Sequence, residues 1–218
     1  MYVRRLYPML LIVTIVAAPA WAAIRVGRRK YGGGGDWYAN PSSVPNLLKF
    51  AREQTALDLP AQPDIVTLDD DKLMDYAIVF ATGHGRIVFT PAQAARLRAF
   101  LFHGGFLHVD DNYGLDESFR PALKTLFPDR RLTELPFSHP IYHGVFDFPQ
   151  GLPKIHEHHG GPPHGYAILH ENRVVLFYSY NTDLSDGWES PEVHKDPPDR
   201  RLAALRMGVN ILVYALTH

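Results

Sequence analysis

The chain contains no cysteine. That excludes disulfides, a thiol nucleophile, a Cys-ligated zinc site and a lipid-modified N-terminal cysteine. Net charge is also nearly absent: 22 Lys and Arg stand against 23 Asp and Glu, a formal −1. Such a balance argues against a nucleic-acid binder, which would carry a strong basic excess. No internal repeat occurs. No Gly-x-Ser-x-Gly elbow, Lys-Ser/Thr phosphate loop or helical His-Glu-x-x-His pattern is present either, so covalent catalysis through Ser or Cys is disfavoured.

What the chain has is 46% apolar residues over 218 positions, enough for a core without disulfide support. Its first 22 residues read as a targeting segment. Arg4 and Arg5 precede an apolar run, and Ala20-Trp21-Ala22 has small residues where a signal peptidase reads, so cleavage after Ala22 is expected. An uncleaved anchor is the alternative, weakened by Pro8 and Pro19. Losing two arginines and no acid takes the net charge from −1 to −3. The expected address is periplasmic or extracellular, with membrane contact only through an uncleaved segment. Residues 23–218 are expected to form a single α/β domain with a loop-rich second half.

A short mixed run at 24–30, with Ile24 and Val26 alternating, and mostly apolar runs at 65–68, 76–81 and 106–110 alternate with helical spacing at 43–51, 91–102 and 117–127. Runs without polar alternation fit strands buried on both faces. The pattern β-α-β-β-α-β-α predicts a doubly wound, flavodoxin-like, mostly parallel sheet with helices on both faces. Segments 166–170 and 173–178 flank Glu171-Asn172 and predict a hairpin. Residues 139–163 and 181–198 read as long loops, and 200–216 as a terminal helix.

In such a sheet the ligand crevice lies beyond the C-terminal strand ends. Gly104-Gly105-Phe106-Leu107-His108-Val109-Asp110-Asp111-Asn112-Tyr113-Gly114 delivers two carboxylates there. Asp110 or Asp111 is expected as general base or metal ligand, and His84 or His108 as acid or ligand. His108 and Asp110 share a face of the strand; Asp111 lies on the other. The plainer alternative has one Asp capping the next turn and the other pairing with an arginine. Thr82-Gly83-His84-Gly85 and Gly32 to Gly35 should lie at the same edge, making Gly33, Gly34, Asp36, Trp37, Asn112, Tyr113, Glu157 and Asp183 candidate ligand-binding residues. Six of the 12 histidines fall between His139 and His164. His156 and His158 are candidate metal ligands, closing the site with Glu157 from the long loop; a solvated polar loop is the alternative. The cofactor is left open, a divalent metal being the one these residues suit.

Tyr31-Gly-Gly-Gly-Gly-Asp-Trp-Tyr38, Thr82-Gly-His-Gly85, the 104–114 run, His139-Pro-Ile-Tyr-His143, Leu152-Pro-Lys-Ile-His-Glu-His158 and Met207-Gly-Val-Asn-Ile211 together resemble the bacterial domain of unknown function 4159 family. That family is similar to the class I glutamine amidotransferase-like fold, near the trehalose-utilisation type proteins. The resemblance implies a flavodoxin-like sheet and supplies no activity. The amidotransferase nucleophile would stand where Asp110-Asp111-Asn112 stands, with no thiol, so glutaminase chemistry is not implied. Two functions are carried forward. One is an exported domain with a polar ligand site that hydrolyses a small polar or carbohydrate-like substrate with metal or carboxylate assistance. The other is a non-catalytic cell-envelope binding or assembly module.

Overall fold

The computed structural model describes residues 23–218; the expected targeting segment lies outside the described residues. The strands are β1 (Val26–Arg29), β2 (Asp64–Val66), β3 (Ile78–Gly83), β4 (Phe106–Asp111), β5 (Thr133–Glu134), β6 (His164–His170) and β7 (Arg173–Tyr180). They form one sheet in the order β2-β1-β3-β4-β7-β6-β5. The first five in that order run parallel, and β6 and β5 add antiparallel at one edge. The sheet is therefore mostly parallel and mixed, as the flavodoxin-like reading expected.

The helices are α1 (Ser43–Gln54), α2 (Pro91–Phe102), α3 (Asp116–Leu126), α4 (Leu184–Gly187), α5 (Pro191–His194) and α6 (Pro198–Thr217). Thr90 opens α2 with a reciprocal capping box to Gln93, and Pro91 occupies the first turn. One face of the sheet buries Val26, Ile78, Phe80, Phe106 and Phe177 under α1 and α6. The other buries Val79, Ala81, Leu107, Val109 and Tyr178 under α2 and α3. Successive strand residues thus feed two separate cores, which is why these strands show no polar alternation.

Three expectations shift, and the hairpin holds. β3 runs to Gly83 rather than ending at Ala81, because Thr82 and Gly83 stay paired with Asp110 and Asp111. β5 has two residues and no pattern to reveal it. The hairpin turn holds Glu171 at φ 50° and Asn172 at φ 64°, the paired left-handed geometry that matches strand twist. The segment 181–198 is not an open loop. Residues 181–189 are all buried, with Trp188 edge-on to Phe80 at 5.8 Å and its indole N–H donating to Ala204 O at 2.8 Å.

Gly208 lets α6 approach that indole. A Cβ there would sit 2.5 Å from Leu47 Cδ1 and 3.0 Å from Trp188. Gly208→Val is expected to cost about 1–3 kcal/mol, read as a lowered urea midpoint with unchanged slope. An unchanged midpoint would mean that α6 does not press on Trp188.

Candidate metal centre

The rim beyond β4 and β7 gathers histidines and carboxylates from segments 153–158 and 181–196. Segment 153–158 is pinned to the strand end by main-chain bonds. Ile155 N–H donates to Thr182 O at 2.9 Å, and the Thr182 hydroxyl donates to Pro153 O. Lys154 Nζ adds a bond to Asn181 Oδ1 at 2.7 Å. This clamp sets His156 beside Asp183.

His156 Nδ1 lies 3.3 Å from Asp183 Oδ2 and 3.3 Å from Asp186 Oδ2. His158 Nε2 lies 2.5 Å from Asp183 Oδ2, and His194 Nε2 lies 3.9 Å from Asp186 Oδ2. Two ligand trios result, His156-His158-Asp183 and His156-Asp186-His194, each with its donor atoms within 4.8 Å of one another. Both Asp contacts engage the same His156 nitrogen. One imidazole nitrogen holds one ion, so His156 Nδ1 can serve only one of the two trios at a time.

Two features single out Asp183 at the base of the cluster. Asp183 Oδ2 is buried and faces two imidazole nitrogens, His158 Nε2 at 2.5 Å and His156 Nδ1 at 3.3 Å. A buried carboxylate needs a cationic or hydrogen-bonding partner, a role that the imidazolium or a metal ion in its place can fill. Asp183 is also held at φ 60°, ψ 47°, a left-handed conformation that a non-glycine residue adopts at a cost and that recurs at functional sites.

The surrounding groups orient the donors. Asp186 Oδ1 accepts from the amides of Asn40 and Asn112, leaving Oδ2 to face the imidazoles. Asn112 is fixed in turn by Gly83 N–H at 3.0 Å and the Ser185 hydroxyl at 3.0 Å. His156 Nε2 pairs with Asp196 Oδ1 at 2.8 Å, the outer carboxylate that orients a metal-ligating histidine. Asp183 and Asp186, with Asp196 behind, raise the His156 imidazole to about 10. Glu189 is buried and accepts from Ser42 N–H at 3.0 Å, at the N-terminus of α1 where a negative charge is favoured. The carboxylates lie deep, with side chains 2% and 6% exposed, while His158 and His194 reach 35% and 31%. The centre therefore opens to solvent on its histidine side.

The expected site residues divide. His156, His158 and Asp183 come together, with Asn112 behind them. Tyr113 forms the lip, its ring 4.8 Å from His158 and 5.0 Å from His159, and its φ of 93° is again strained. His84 and Asp36 engage each other instead: Asp36 accepts from His84 N–H and lies 3.1 Å from His84 Nδ1. Gly33 and Gly34 lie exposed on the same loop, which is clipped to 84–88 by the Gly32–Val88 bridge. Trp37 is half-buried, edge-on to Tyr38 and beneath the Arg28 and Lys30 cations. Glu157 points outward, 67% exposed, 3.7 Å from Lys154.

Three catalytic candidates need correction in placement. His108 is buried among Phe80, Phe177 and Trp188, and burial lowers its pKa to about 3. Asp110 is fully buried, accepting from the Ser179 hydroxyl and from Ser185 N–H at 2.8 Å. Asp111 accepts from Tyr113 N–H at 3.0 Å and Leu115 N–H at 2.9 Å, capping the turn before α3. None of the three opens on the centre: β4 stays paired to β3 and β7 beyond Val109, so its last side chains remain inside the sandwich. Asp186, His194 and Asp196 were missed. Their signal was a run of acids and a histidine at 183–196 after a buried strand end.

A family model described as Domain of unknown function (DUF4159) matches residues 25–216. The chain belongs to that family. No curated protein matches it. The match spans all seven strands and every residue of the centre, so fold and cluster belong to one family unit.

Proposed function

We propose that this family member is an exported hydrolase with one divalent metal, of zinc type, acting on a polar, carbohydrate-like substrate. The observation that carries this reading is the buried Asp183 carboxylate facing His156 and His158, with Asp186 and His194 completing a second trio on His156. Nitrogen and carboxylate donors without thiolate suit zinc, and a donor set open on one side leaves room for water and substrate. A metal bound there would lower the pKa of its water and polarise the substrate oxygen.

The chain's own groups supply the rest. Asn40 and Asn112 hold Asp186, Asp196 orients His156, and Tyr113 offers a ring face at the mouth. His194 is the loosest donor, 3.7 Å from Glu189 and 3.9 Å from Asp186, and is placed to exchange a proton with a leaving group. Export rests on the proposed cleavage after Ala22; among the described residues no helix is long and apolar enough to cross a membrane.

Elemental analysis of the purified mature protein tests this. We expect about one zinc per chain at such a site, removed by chelator, with metal-dependent turnover on a panel of glycosides, sugar esters and amides. Absence of both metal and turnover would favour the binding-module reading instead.

A further inference from the structure

The β6–β7 hairpin carries a surface strip outside the metal cluster. His164, Tyr166 and Ile168 share one face of β6, level with Tyr180, Tyr178 and Leu176 on β7; Ile168, Leu176 and Tyr178 are buried beneath α2 and α3, and half-buried His164, Tyr166 and Tyr180 are the part that reaches solvent. The strip begins at the rim: Asp183 follows Tyr180 closely in the chain, and β7 pairs with β4 up to Asp110. From His164 to Ile168 it runs roughly 14 Å at the rise of an antiparallel strand. The rings lie side by side, His164 to Tyr166 at 5.7 Å and Tyr166 to Tyr180 at 6.4 Å between centroids. Arg120 of α3 spans them, 4.9 Å from the Tyr166 ring and 5.5 Å from that of Tyr180, with its side chain 40% exposed.

Past Tyr166 the strip opens into a cavity of about 220 Å³ in which Arg120, Lys124, Arg130 and Arg131 surround an apolar floor. No carboxylate lines it. The nearby acids on the strip are engaged, Asp116 with Arg120 at 2.7 Å and Glu134 with His164 at 2.7 Å. Arg130 is also engaged, through Leu169 O and His170. Lys124 and Arg131 are exposed and make no salt bridge or side-chain hydrogen bond among the described residues. On a chain with net negative charge, this cationic cavity at the end of an aromatic strip selects for an anionic occupant.

We infer that the strip docks a linear acidic polysaccharide. Its sugar faces pack on Tyr166, Tyr180 and His164, and its acidic groups meet Lys124 and Arg131. The polymer then leads along the hairpin to the rim. Delivery to the centre rests on the metal-hydrolase reading; the docking does not. The rings are half-buried and lie along the strands, each with limited free surface. That suits the shallow apolar face of a sugar better than a nucleobase, which needs a freely stacking ring. The few free cations suit a polymer of modest charge density rather than a phosphodiester backbone.

The test is native-gel retardation by polygalacturonate, with dextran, single-stranded DNA and vesicles of anionic lipid as comparisons, all in chelator. We expect retardation by polygalacturonate, weakened by salt, and none by dextran. Lys124→Glu with Arg131→Glu should weaken it at least tenfold, and Tyr166→Ala should weaken what survives in salt. Both variants should keep the parent's metal content on reloading. Equal retardation by dextran, tighter binding to DNA or vesicles, or indifference to the charge reversal overturns the proposal. Docking lost with metal retained defeats this inference alone; metal absent with docking intact defeats only the metal reading.

Discussion

Asp183→Asn is expected to abolish the stabilisation that zinc gives the parent protein. A ligand present at a hundred times its dissociation constant adds about 2.7 kcal/mol to folding. For a chain of this size that raises the melting midpoint by roughly 5–10 °C. Asn keeps the volume of Asp183 and tolerates its left-handed backbone, so the fold should persist. The variant loses the charge that faces His156 and His158, and with it the donor at the base of the centre. In chelator the variant should melt below the parent, because Asp183 pairs with His156 and His158 in the metal-free fold, so the zinc shift is read within each protein. In zinc the parent alone should shift. Asp196→Asn should fall between, weakening affinity 10–100-fold, since it orients His156 rather than ligating. Equal zinc shifts in parent and Asp183→Asn would remove the centre from consideration.

The sheet was legible because its strands are short apolar runs between capped helices. Ile78–Gly83 carries no polar alternation, which fits a strand in the middle of a parallel sheet. Thr90-Pro91 gave the start of α2 for a local reason, the capping box. That the histidine and carboxylate cluster gathers at the C-terminal rim was legible too, because the position of that rim follows from topology. Which acids open onto it was not. Asp110 and Asp111 look like a presented pair, yet their fate depends on how far β4 stays paired to neighbours more than 25 residues away. Asp186 and Asp196 looked like ordinary loop acids. They matter because Trp188 anchors their segment into the core through Phe80 and Ala204, a contact with no local signature. His156 and His158 stood out by composition, but only the clamp between Thr182 and residues 153–155 sets them against Asp183.

Asp110→Asn is expected to become progressively more stable than the parent as pH rises. Burial raises the Asp110 carboxyl from 3.8 to about 7, even though Ser179, the Ser185 hydroxyl and Ser185 N–H all bond to it. In the unfolded chain the same carboxyl ionises near pH 4. Between these values the folded state holds a proton that the unfolded state has released, so raising the pH costs the parent stability. The Asn variant has no such slope. Its advantage should grow by about 1.4 kcal/mol per pH unit from pH 4 to pH 7, then level off. His108 acts in the opposite direction on the other side of Ser179, at 2.9 Å from the shared hydroxyl. Burial lowers it to about 3, so its contribution is lost as pH falls below its unfolded value of 6.5. Between about pH 4 and pH 6.5 the folded pair carries one proton on Asp110, and the unfolded pair carries one on His108. The two slopes cancel in the parent and leave only the histidine slope in Asp110→Asn. Urea unfolding of both proteins in chelator at pH 4.5, 5.5 and 6.5 measures the difference directly. A gap between them that does not change with pH would mean that the three donors win over burial and Asp110 is a carboxylate in the fold.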